Sequence, residues 1–236
     1  KDNWTTGVTH VDINNDGLLD IYVCKVGNYL DIRGKNLLFI NQGINSDGIP
    51  TFKEEAAKYD LDFSGFSTQA AFFDYDLDGD LDMYLMNHSV HPNRNNGKGS
   101  LRMEVDSLSG DRLYKNEGGK FVDVSAEVGI FQGGIGYGLG LGIGDLNNDG
   151  YPDIYVGNDF FENDYCYINQ KDGSFKEVIS QDERRFGHTT HFSMGNDIAD
   201  INNDGYSDIV SLDMLPENLE TYKTSGLEYP FATYEY

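Results

Sequence analysis

Four nine-residue windows place oxygen-bearing side chains at the same positions. Residues 12–20 read DINNDGLLD, 74–82 DYDLDGDLD, 145–153 DLNNDGYPD and 200–208 DINNDGYSD. The shared rule is Asp-x-Asp/Asn-x-Asp-Gly-x-x-Asp, and the windows hold 14 Asp with neither Glu nor Lys. Carboxylates this close repel one another unless a cation lies among them. Odd positions of a tight loop can point inward together, and Gly at position 6 permits a turn that a Cβ obstructs. Calcium takes roughly 6–8 oxygens at about 2.3–2.6 Å, whereas magnesium uses fewer carboxylates and keeps its waters. The spacing therefore predicts about four calcium ions. Their side-chain ligands are Asp12, Asn14, Asp16 and Asp20; Asp74, Asp76, Asp78 and Asp82; Asp145, Asn147, Asp149 and Asp153; and Asp200, Asn202, Asp204 and Asp208. Leu18, Asp80, Tyr151 and Tyr206 at position 7 add backbone carbonyls. Metal-free Asn/Asp/Gly hairpin turns explain any single window; four windows keeping all five positions favour a metal.

An EF-hand begins in the same way, but it needs a Glu at position 12 and flanking helices. Position 12 here is Val23, Leu85, Val156 and Ser211. The runs after position 9, IYVC, MYLM, IYVG and IVSL, are β-branched and aromatic, which predicts strands. The runs before each window are short and rich in small residues, as in GLGLGIG (138–144), and suit an inner strand in a crowded place. A third strand (36–41, 112–116, 165–169) ends each time in Asn, with Gly soon after. A fourth follows at 51–56, 120–125 and 174–179.

The first aspartates, at 12, 74, 145 and 200, lie 62, 71 and 55 residues apart. A repeat of this length made of strands predicts an all-β protein, a β-propeller of four-stranded antiparallel blades with a calcium loop between the first and second strands of each. The blades fall at about 1–62, 63–131, 132–186 and, incomplete, 187–215. Residues 216–236 continue irregularly. About four blades are visible, which reads as part of a larger ring and as a mature piece of a longer chain.

The 236 residues carry 17 basic and 40 acidic side chains, a formal charge of −23. Such a field repels nucleic acid and anionic membrane surfaces. No apolar run approaches the ~18 residues of a membrane helix. Cys24 and Cys166 both sit in strand-like runs and read as separate buried thiols.

LYKNEGGKFVDVSAEVGI (113–130), GDLNNDGYPDIYVGND (144–159) and SMGNDIADINNDGYSDIVSLDMLPEN (193–218) resemble the FG-GAP/VCBS repeat class, which includes the integrin α head. The resemblance is closest to the cartilage acidic protein-like bacterial surface proteins. It implies a seven- or eight-bladed ring, export to the cell surface, with the bacterial outer-membrane surface favoured, and binding rather than catalysis.

In such a fold the acidic loops gather at one end and the second-to-third-strand connections (24–35, 86–111 and 157–164) at the other, here called the top. Two His-x-x-His pairs fall there, His88/His91 and His188/His191, which with Asp159 make a candidate ligand site; ordinary loop histidines are the plainer reading. No dinucleotide, Walker or Gly-x-Ser-x-Gly pattern occurs, and no catalytic or cofactor-binding residue is assigned. The function expected is an extracellular adhesion module for a protein or glycan, with membership of a larger surface complex a further expectation. The alternative is a calcium-dependent polysaccharide lyase or hydrolase using His88, His91, His188, His191 or Tyr137 as base.

Overall fold

The structure, a computed structural model, describes residues 4–90, 99–160, 162–180, 189–190, 192–214, 218 and 220–221. The strands are β1 (Trp4–Val11), β2 (Asp20–Tyr29), β3 (Ile32–Arg33), β4 (Leu37–Ile44), β5 (Pro50–Glu54), β6 (Ser67–Phe73), β7 (Asp82–Asn87), β8 (Arg112–Asn116), β9 (Phe121–Asp123), β10 (Gly138–Gly144), β11 (Asp153–Asn158), β12 (Tyr165–Asn169), β13 (Phe175–Glu177), β14 (Ser193–Ala199) and β15 (Asp208–Asp213). They form sheets β1-β2-β4-β5, β6-β7-β8-β9, β10-β11-β12-β13 and β14-β15, with β3 an extra partner of β2. Every pairing is antiparallel.

Consecutive sheets pack face to face. Tyr22 and Leu38 of the first sheet share a core with Met83, Leu85 and Phe121 of the second. Tyr84 and Met86, on the other face of β7, share one with Ile154, Val156 and Tyr167 of the third. Ile198 and Ile209 of the fourth sheet lie against Tyr155 and Cys166. Successive side chains of a strand point to opposite faces, so a second strand buried on both sides is apolar without a break, which is why β7 reads MYLM. Sheets strung this way along the chain, first strand innermost, are blades of a β-propeller.

The inner strands β1, β6, β10 and β14 carry small residues because each lies against the inner strand of a neighbouring sheet. Thr6 and Thr9 donate hydroxyls to the carbonyls of Ser67 (2.6 Å) and Ala70 (2.7 Å). A Cβ on Gly140 would come within 2.7 Å of the Asn196 backbone nitrogen. Each inner strand also slips register at one place, between Thr5/Gly7, Ser67/Gln69, Gly138/Gly140 and Ser193/Gly195.

Two local expectations are corrected. Residues 24–35 do not form an open connection, because β2 runs on to Tyr29 and folds back through β3. The fourth strands end early, and α1 (Ala56–Tyr59) and α2 (Ser125–Val128) follow the first two. The acid closing each fourth strand accepts the amide two residues on: Glu54 from Ala56 (2.9 Å), Asp123 from Ser125 (3.1 Å) and Glu177 from Ile179 (2.7 Å). That local bond turns the chain away from the ladder. Cys24 and Cys166 are buried and form no disulfide.

Candidate metal loops

Each acidic window joins a first strand to a second, and all four are built alike. The position-1 carboxylate accepts two backbone amides from across the turn. Asp12 takes those of Asp16 (3.0 Å) and Gly17 (2.8 Å). Asp74 takes Asp78 and Gly79 (both 3.0 Å), Asp145 takes Asp149 (3.0 Å) and Gly150 (2.8 Å), and Asp200 takes Asp204 (3.0 Å) and Gly205 (2.8 Å). The position-5 carboxylate accepts the position-7 amide: Asp16 from Leu18, Asp78 from Asp80, Asp149 from Tyr151 and Asp204 from Tyr206, at 2.8–3.2 Å. Closing so tight a turn takes two left-handed positions. One is Gly17, Gly79, Gly150 or Gly205, at φ 83–100°. The other lies two residues earlier, and Leu77 fills it at φ 59° where Asn15, Asn148 and Asn203 stand in the other loops. Asn tolerates that conformation and Leu does so rarely.

Position 9, the fourth expected side-chain ligand of each window, is also tied to backbone. Asp20, Asp82 and Asp153 are fully buried. Each accepts one amide from position 2 and another from an Asn of the third strand, Asn41 inside β4 and Asn116 and Asn169 at the ends of β8 and β12. Asp20 takes Ile13 (3.1 Å) and Asn41 (2.7 Å), Asp82 takes Tyr75 (3.3 Å) and Asn116 (2.8 Å), and Asp153 takes Leu146 (2.9 Å) and Asn169 (2.8 Å). In the exposed fourth loop the half-buried Asp208 takes Ile201 (3.2 Å). Burial pushes the carboxyls of Asp20 and Asp153 above their ordinary range and that of Asp82 up to about 7, against the pull of those amides. The same Asn residues sends their side-chain amides to the position-8 carbonyls of Leu19, Leu81 and Pro152. Their side-chain oxygens accept from the following turn at Gly43, Gly119 and Lys171.

Position 3 separates the second loop from the first and third. Asn14 and Asn147 donate side-chain amides to the position-5 carboxylates of Asp16 (2.9 Å) and Asp149 (3.0 Å). Asp76 has no proton to give. Lys115, from β8, instead pairs with both Asp76 and Asp78, the latter at 3.2 Å.

Carboxylate oxygens of Asp74, Asp76 and Asp78 lie within 4.8 Å of one another, an arrangement able to hold a metal ion. Asp76 Oδ1 is buried and accepts no hydrogen bond, so it keeps its lone pairs for a cation. An all-oxygen set with several carboxylates suits a hard divalent ion.

At the opposite end, His88, Tyr137, Asp159 and Phe160 come together. The Tyr137 ring meets His88 edge-on at 5.4 Å and Phe160 at 5.0 Å. The Asp159 amide donates to the Tyr137 carbonyl (3.0 Å). His88 Nδ1 donates to Ser89 O (2.7 Å), which leaves Nε2 as the acceptor nitrogen. Burial holds the His88 imidazole below its ordinary pKa and the Asp159 carboxyl above its own. His91, His188 and His191 lie outside the described residues, so the geometry of the paired-histidine site is defined only at His88 and Asp159.

Two features here went unread in the sequence. Asn36, Asp111 and Asp164, each just before a third strand, accept the amide five residues past position 9: Lys25 (2.8 Å), Asn87 (2.7 Å) and Asn158 (2.7 Å). Asp111 and Asp164 also accept the hydroxyls of Tyr84 (2.8 Å) and Tyr155 (2.7 Å). The signal was an Asp or Asn at one fixed place in three repeats. The other feature is Arg102, in the long 86–111 connection, which pairs at 2.9 Å with the fully buried Glu162 of the next repeat. Nothing in the local sequence announces it.

Tandem four-stranded sheets with a carboxylate loop after each inner strand define a β-propeller repeat module. The FG-GAP-like repeat matches three times, over residues 12–85, 89–156 and 145–211, and the chain belongs to that family. No curated protein matches it. Among solved structures, the crystal structure of the rhamnogalacturonan lyase YesW is similar at 18% identity and a TM-score of 0.44, over 89% of this chain and 41% of that one. The chain thus spans under half the length of that protein. Among the described residues no helix is long and apolar enough to cross a membrane.

Proposed function

We propose that this chain is part of a calcium-stabilised, extracellular binding module that presents its top face to a protein or glycan of the cell surface. The observation carrying this reading is the common construction of the four loops. In each, backbone amides hold the carboxylates at positions 1 and 5, and in the second loop those of Asp74, Asp76 and Asp78 lie within 4.8 Å of one another, with the buried Asp76 Oδ1 accepting no hydrogen bond. Asp12, Asp16, Asp74, Asp76, Asp78, Asp145, Asp149, Asp200 and Asp204 would supply carboxylates, with Asn14, Asn147 and Asn202 and the position-7 carbonyls completing each set. The position-9 carboxylates close the loops from behind. Calcium outside cells is millimolar, and modest sites with Kd of about 10⁻⁴–10⁻³ M fill there. A site at 100 times its Kd adds about 2.7 kcal/mol to stability.

The test is thermal melting with calcium and with EGTA. Chelation should lower Tm by many degrees, and Asp78→Ala should cost more in calcium than Asp62→Ala, which removes only an exposed partner of Lys35. An unchanged Tm refutes the calcium reading. Capture from the native cell envelope in millimolar calcium, with glycan arrays beside it, then tests for the partner.

One observation favours a second reading, a polysaccharide lyase or hydrolase. The acceptor nitrogen of His88 lies in the cluster with Asp159 and Tyr137, where a general base would be useful. Release of new chain ends from acidic polysaccharides, lost in His88→Ala, would establish it.

A further inference from the structure

The second loop differs from its neighbours by one paired exchange. Asp76 stands where Asn14, Asn147 and Asn202 stand, which adds one negative charge. In β8, Lys115 stands where β4 has Ile40 and β12 has Ile168. The register fixes that equivalence, because Phe39, Tyr114 and Tyr167 each pair with the residue that follows the position-9 aspartate. The two exchanges cancel in charge although they lie 39 residues apart.

Their geometry matches their charge. In the first and third loops the position-3 amide caps the position-5 carboxylate. In the second loop the Lys115 ammonium caps the same carboxylate and neutralises Asp76 at once. Its stem passes over the Tyr75 ring, with the ammonium 5.9 Å from the ring centroid. Lys171 reaches Asp149 at 3.4 Å in the third loop, but there Asn147 keeps its own bond and no carboxylate has been added.

We propose that Lys115 is a tethered cation that holds the second loop closed without metal and competes with calcium for Asp76 and Asp78. The proposal rests on the calcium reading above. The four loops are then unequal. A cation entering the second loop must displace an ammonium already in contact, so the affinity of that loop is reduced by the fraction of time the ammonium is seated.

The experiment is calorimetric titration of EGTA-stripped protein with calcium chloride, using the wild type, Asp78→Ala, Lys115→Ile and Asp76→Asn/Lys115→Ile, with melting of each in EGTA. Asp78→Ala identifies the second loop as the class of site it abolishes. In Lys115→Ile that class should tighten about tenfold, while Tm in EGTA falls because Asp76 and Asp78 lose their counter-charge. The double variant rebuilds a plain Asn loop and should recover the metal-free Tm. If Lys115→Ile fails to fold in EGTA, the double variant must still fold. A second-loop affinity unchanged or weakened in Lys115→Ile overturns the tethered-cation proposal alone. No calcium uptake by the wild type overturns the calcium reading and this proposal with it.

Discussion

Replacing Asp153 by Ala separates the two tasks of an acidic window. Asp153 is fully buried, and its two oxygens accept the amides of Leu146 and Asn169 at 2.9 and 2.8 Å. Truncation leaves both donors without a partner. A buried N–H left unsatisfied costs about 1–3 kcal/mol, so the pair sets a range of roughly 2–6 kcal/mol. Removing a carboxyl that burial already disfavours returns part of this, and about 2–4 kcal/mol is expected. In a chain of this size that is a fall in Tm of very roughly 5–15 °C. Asp149→Ala is the comparison. Asp149 gives up the Tyr151 amide, the Asn147 side-chain amide and the Lys171 ammonium, all near solvent, so in EGTA it should cost clearly less than Asp153→Ala. In calcium both variants should be destabilised, because Asp149 is then a ligand. The assay is denaturant unfolding of both variants in EGTA and in millimolar calcium. Equal losses in EGTA would refute the reasoning, since Asp153 would then act only through a metal.

Much of this architecture is spelled locally. The carboxylate at position 1 and the glycine at position 6 bond each other five residues apart, so their spacing reveals their task. The apolar runs of the second strands and the small residues of the first declare their places by composition. Contacts between distant residues are not spelled this way. Lys115 lies 39 residues from Asp76, and Asp111 lies 27 from Tyr84; only the register of the third strand on the second brings them together. The early end of the fourth strands escaped for a subtler reason. Glu54, Asp123 and Glu177 look like ordinary strand-edge acids until their oxygens are seen to accept the amide two residues on.

Two further outcomes are expected. Burial pushes Asp111 and Glu162 up to about 7 and Asp164 to about 6. Between about pH 4 and these values the folded state binds more protons than the unfolded chain, so stability is greatest at the acid end and falls as pH rises. Tm in EGTA should therefore climb from about pH 7.5 to about pH 5, and Asp111→Asn, the residue type that Asn36 supplies in the first sheet, should flatten the slope. An unaltered slope in that variant would show that Asp111 does not contribute. Gly140→Ala should cost about 1–3 kcal/mol by driving a Cβ into β14, whereas Gly195→Ala meets nothing within 4 Å and should be neutral or slightly stabilising; equal effects in denaturant unfolding would count against inner-strand crowding.

The second strand of each complete sheet is fastened at both ends without metal. At the loop end the fasteners are Asp20, Asp82 and Asp153. At the other end they are Asn36, Asp111 and Asp164, which hold the amides of Lys25, Asn87 and Asn158. Every one of these bonds runs to backbone, so the sheets carry their own closure. Under the proposed calcium reading the ion would act on the outer half of each window, at the position-1 and position-5 carboxylates, and the similar backbone construction of the four loops leaves little room there for recognition. Variation is concentrated at the opposite end. There the 86–111 connection crosses to the next repeat through Arg102 and Glu162, and His88, Tyr137, Asp159 and Phe160 are gathered from different strands. A constant end that stabilises and a varied end that differs from repeat to repeat is the division expected of a scaffold whose partner binds the varied end.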